Sequence, residues 1–198
     1  MDPATAATLA RGLSFVVFAL MAFWYVVPSL RARGRADALV ALLWVHAFRH
    51  VALHLVSTQR AGFPISDHGR DRIMYGDVVA MLLAVAAISA LRYRSRLAIP
   101  LVWVFVAETA ADVVSIFGIV AREHLAQFVS GMSWLISSFY VPLVMVSFAL
   151  IVWQLVARWG EPLTLSTRME GRPRRGGRCD TAEADLIGAP SAEGLRGR

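Results

Sequence analysis

Five long apolar runs dominate this sequence and decide most of what it can become. They cover Leu9 to Leu30, Ala36 to Val56, Ile73 to Leu91, Leu97 to Val120 and Phe128 to Ala157. A helix needs roughly 20 apolar residues to cross about 30 Å of hydrocarbon, and each run is near or above that length. In lipid each segment must satisfy its own backbone hydrogen bonds, so helices are the expected state. The expected fold is all-α: a polytopic membrane protein with a five-helix transmembrane bundle over residues 1–159. Charged residues make up 17% of the chain, against about 25% in a soluble domain. Lipid is the solvent that tolerates that deficit.

Arginine placement sets the expected orientation. Arg31, Arg33 and Arg35 follow the first run, Arg92, Arg94 and Arg96 follow the third, and Arg158 follows the fifth. A five-pass topology puts all three groups on one side, which the positive-inside rule assigns to the cytoplasm. The opposite connections are balanced: Arg60, Arg70 and Arg72 against Asp67 and Asp71, and Arg122 against Glu123. The N-terminus is then outside and the C-terminus cytoplasmic, with a bacterial inner membrane as the expected location. No basic region precedes the first run, so it reads as a retained helix and not as a signal peptide. Pro28 sits near its inner end, and Pro100 falls in the first turn of the fourth helix, where a missing N–H costs little. Pro142 lies inside the fifth run and should kink it. Trp24, Tyr25, Trp103, Trp153 and Trp159 fall near inner boundaries, as an aromatic belt does.

The net charge of +6 comes from 20 basic residues, all arginine. They lie in short loops and a tail, which argues against a nucleic-acid partner and for membrane lipid. Residues 160–198 trade apolar runs for Gly, Pro, Arg and acids, the composition of a disordered cytoplasmic tail. Arg168 to Arg178 could rest on anionic headgroups. The single cysteine, Cys179, excludes a disulfide within the chain and an all-cysteine metal site.

The residues with chemistry are the ionisable ones inside the apolar runs. His46, His50 and His54 recur every four residues in the second run, which lines one face of an α-helix. Arg49 sits beside that stripe. Glu108 and Asp112 repeat the spacing in the fourth run, and Asp77 lies near the outer end of the third. Counting 1.5 Å per residue puts His50 and Glu108 at about 15–20 Å from the inner boundary, with His54, Asp112 and Asp77 about a turn further out. Ionisable groups at such depth are expected to face inward and pair. One polar site in the outer half of the bilayer follows as an expectation.

Four readings fit that set. His46, His50, His54, Glu108 and Asp112 could ligate a divalent metal, zinc or iron, with Arg49 and Asp77 as catalytic partners acting on a lipophilic substrate. The histidine stripe resembles the histidine boxes of membrane desaturases and hydroxylases in its spacing. Those boxes include adjacent histidine pairs, which this chain lacks, so no role is carried over. A small proton-coupled transporter is the second reading, and five helices would need to form a homodimer for it. Haem is the third, with His54 and His124 as axial ligands. In the fourth, the polar groups only fix helix packing: Arg49 bridges Glu108 and Asp112, and the histidines bond Ser115 or Asp77.

Overall fold

Each apolar run becomes a helix in the computed structural model, which describes residues 3–128 and 130–161. The helices are α1 (Thr5–Arg31), α2 (Arg35–Arg60), α3 (Asp67–Arg92), α4 (Ala98–Arg122) and α5 (Gly131–Ala157), all long and apolar enough to cross a membrane. Among the described residues there is no strand. Most of the expected tail lies outside the described residues, from residue 162 onward, including Cys179 and the arginines from Arg168 to Arg178.

Four of the helices overrun their apolar runs, α3 most, while α5 starts three residues inside its own. The apolar run of α3 starts at Ile73, yet the helix starts at Asp67 because Ser66 caps it. The Ser66 hydroxyl accepts from the Gly69 N–H at 2.9 Å, and Asp67 adds an acid to the first turn. Arg70 and Arg72, expected in a loop, are therefore helical: Arg70 pairs with Asp67 and Asp71 of its own helix, and Arg72 reaches Ser115 of α4.

Three helices depart from α geometry, and two departures trace to proline. Ala22–Val26 in α1 and Ile136–Tyr140 in α5 are π turns. Pro28 and Pro142 follow each by two residues. A proline ring collides with the carbonyl four residues back. Widening the turn moves that carbonyl away, and the bonds Val27 N–H to Ala22 O and Val141 N–H to Ile136 O close the wide turns. The third departure has no such cause in the sequence: α2 tightens to a 3-10 helix over Arg49–Leu53.

Small residues let α3 occupy the middle of the bundle. Gly76, Ala80, Ala84 and Ala87 are buried along it and bring α2 and α4 close on either side. Leu39, Leu43, Val102 and Phe105 fill the seams, and Ile151 and Leu155 of α5 close the core against α2. Helix α1 lies at the edge against α5, with Leu13, Phe23, Trp24 and Tyr25 exposed. A second, smaller core of Leu55, Ile65, Ile73 and Leu125 closes the end of the bundle that holds the α2–α3 and α4–α5 connections.

The opposite end carries the arginine groups. Buried Arg35 donates to the Leu155, Trp159 and Glu161 carbonyls at 3.4, 3.2 and 3.2 Å. Arg158 donates to the Arg33 carbonyl at 3.1 Å and pairs with Glu161 at 2.5 Å. Together these bonds tie the end of α5 to the α1–α2 turn. The aromatic residues gather here too: Trp103 packs against Trp159, and Arg31 lies over Trp153.

Candidate functional site

Arg49 starts the 3-10 turn of α2 and points into the bundle, where it is 3% exposed. Its Nε donates to Asp77 of α3 and its Nη2 to Asp112 of α4. Nη1 donates to Thr109 Oγ1 of α4 at 3.3 Å. One guanidinium thus joins three helices, and Asp112 is almost fully buried beside it. The close approach depends on Gly76: a Cβ there would land on Asp112 Oδ1. Arg72 approaches the same carboxylate from the α3 surface, with Nη1 4.0 Å from Asp112 Oδ1 and Nη2 donating to Ser115 at 3.1 Å. Two arginines therefore face two aspartates, and that group balances in charge.

The histidine stripe does not survive the tight turn. A 3-10 helix advances about 120° per residue against about 100° in an α-helix. Five residues of it swing the remainder of α2 by roughly a quarter turn or more. His46, ahead of the break, is fully buried with its edge on Phe105, ring centroids 4.9 Å apart. Neither of its nitrogens has a partner among the described residues. His50 is exposed, its Nδ1 3.3 Å from the Ala47 carbonyl. His54 sits 2.8 Å from the Val51 carbonyl through Nδ1 and 3.4 Å from Ser133 Oγ through Nε2.

The residues of the expected metal set are not brought together among the described residues. His46, His50, His54, Glu108 and Asp112 point to different places, and no three His, Cys, Asp or Glu side chains among the described residues converge as a metal needs. Glu108 is half-buried in a groove between α3 and α4 with Arg72, Tyr75, Gly76 and Val79, and its Oε2 has no hydrogen bond among the described residues. Arg49 bridges Asp77 and Asp112, whereas the packing reading paired it with Glu108 and Asp112. His124, the other expected haem ligand, is exposed in a turn at φ 52°.

Above the Arg49 group lies a cavity of about 250 Å³. Its walls are apolar: Leu55, Phe63, Ile73, Val113, Ile116 and Val144 among others. Arg49 and Asp77 form its floor, and His54, Ser133, Ser137, Tyr140 and Arg11 lie around it. The Tyr140 hydroxyl donates to the Val45 carbonyl at 3.1 Å. Arg11 of α1 donates from Nη2 to Ser137 Oγ at 2.5 Å and from Nε to the Ser137 carbonyl at 3.3 Å. Ser137 belongs to the π turn of α5, so the distortion that admits Pro142 also presents the acceptor that fixes Arg11.

Sequence reasoning missed Arg11, Arg72 and Thr109 as site residues. Arg11 carried a readable signal, a cation inside an apolar run. Arg72 became readable once Ser66 and Asp67 were taken as a helix start. Thr109 gives no such signal, since a threonine in an apolar helix usually bonds its own backbone.

Residues 6–156 match the family described as Domain of unknown function (DUF8737), and the chain belongs to that family. No curated protein and no solved structure matches the chain.

Proposed function

We propose that this member of the DUF8737 family is an integral membrane protein that binds a small lipophilic molecule within its bundle. In this reading the bundle lies in a bacterial inner membrane with its N-terminus outside, and the cavity is in the outer half of the bilayer. The observation that carries the proposal is the cavity itself. Apolar side chains from several helices line it, with a few polar groups set among them, the composition of a small-molecule pocket. At about 250 Å³ it falls just below the ~300–1,000 Å³ usual for such sites, so the ligand is small.

The Arg49–Asp77–Asp112 group has a supporting role in this reading. Arg49 commits its donors to Asp77, Asp112 and Thr109. It therefore fixes three helices and sets the depth of the floor, and it is not free to coordinate a ligand. The metal-dependent enzyme reading loses the ligand set on which it stood, while its lipophilic substrate class fits the cavity.

The test is binding of radiolabelled decanol to the purified full chain in mild detergent. Saturable binding in the wild type, lost in Ile116→Trp with the thermal transition retained, supports the proposal. Equal uptake by wild type and Ile116→Trp overturns it.

A further inference from the structure

The cavity's polar groups differ in what they have left to offer. Arg49 is engaged, the Tyr140 hydroxyl donates to the Val45 carbonyl, and His54 is held at both nitrogens. Arg11 is different. It uses Nε and Nη2, both toward Ser137, and among the described residues Nη1 donates to nothing. Its two acceptors are a hydroxyl and a carbonyl, both neutral, and no carboxylate among the described residues lies within ion-pair distance. A guanidinium inside an apolar bundle without a counter-charge is costly, and such residues mark ligand pathways.

The balance of charge points the same way. Arg49 and Arg72 offset Asp77 and Asp112. Glu108 cannot serve Arg11 directly, because it lines the groove between α3 and α4 and not the cavity. The cavity thus combines apolar walls with a cation, Arg11, whose free edge meets no anion among the described residues.

We propose that the ligand is an anionic single-chain amphiphile, of the fatty-carboxylate class, whose head is held by Arg11 while its chain occupies the cavity. This inference rests on the cavity reading above and specifies its ligand. A planar guanidinium with a free edge suits a carboxylate head through charge-assisted hydrogen bonds. Ser137 holds the guanidinium in place beforehand, so little freedom is lost on binding. The volume suits one short chain.

The experiment compares radiolabelled decanoate with decanol on the full chain, in non-ionic detergent at pH 8, for wild type, Arg11→Gln and Arg11→Lys. Wild type is expected to bind decanoate about tenfold or more tightly than decanol, the scale of one charge-assisted hydrogen bond. Arg11→Gln is expected to bring decanoate down to the decanol affinity, while Arg11→Lys keeps part of the preference. Equal wild-type affinities, or a preference that survives in Arg11→Gln, overturn this inference and leave the lipophilic cavity standing. If neither compound binds saturably, the cavity reading fails first and takes this one with it.

Discussion

Burying one arginine between two aspartates is stable only while all three remain together. Removing the cation from a buried ion pair strands charge in low dielectric and costs about 3–5 kcal/mol. Arg49→Met should therefore lower the thermal transition sharply in detergent. The triple change of Arg49, Asp77 and Asp112 to apolar residues should recover much of that loss, because no charge is left behind. A triple variant no more stable than Arg49→Met would contradict this account of the group. Gly76→Ala tests the same contact sterically. Its new methyl would occupy the place of Asp112 Oδ1, and overpacking of that kind costs about 1–3 kcal/mol. Gly118 has open space where a methyl would stand, with nothing within 4 Å, and should accept alanine without loss; equal effects at both glycines would refute the packing argument. At this scale the sequence showed which residues are unusual but not how they combine. Arg49, Asp77 and Asp112 stood out as charges within apolar runs, and the structure joins them. The partnering of Arg49 by Asp77 in place of Glu108 depends on side-chain direction, which spacing does not reveal.

Helices register the same lesson through their irregularities. All five were legible, since run length against bilayer thickness leaves few alternatives. The 3-10 turn at Arg49–Leu53 was not, because no proline or glycine marks it. Its effect is large: an ideal helix would have aligned His46, His50 and His54, and the tighter turn separates them. The start of α3 was readable from Ser66 and Asp67. Ser66→Ala should cost about 1 kcal/mol, the usual value of a lost N-cap. Ser66 also bonds Glu123 through its hydroxyl at 2.6 Å and its N–H at 2.9 Å. A thermal shift no larger than that of an uninvolved surface serine would refute the capping role. At the end of α5, Glu161 is held below the ordinary glutamate range, chiefly by its hydrogen bond to Arg158. A lowered folded-state value means the carboxylate stabilises the fold above the unfolded value and stops doing so as pH falls through the folded one. Wild type and Glu161→Gln should differ in thermal stability at pH 7 and converge in acid. A difference that persists once the carboxylate is protonated would argue against the ion pair.

The described residues combine a charge-balanced polar group between α2, α3 and α4, an apolar cavity beside it and an arginine-rich end tied together by Arg35 and Arg158. The proposed topology places the cavity end outside. With Cys179→Ser as background, an impermeant maleimide added to intact cells should label a cysteine at Gly62 and spare one at Arg94; the reverse pattern would invert the bundle. The central claim is that the cavity takes up a lipophilic ligand. A decyl probe carrying a terminal diazirine, photolysed with the purified protein and mapped by mass spectrometry, tests it most directly. The account predicts label on Val113, Ile116 and Val144, displaced by excess unlabelled decanoate. Label spread over the exposed residues Leu13, Leu82 and Val104, undiminished by competitor, would show that the probe meets only the lipid-facing surface and would contradict it.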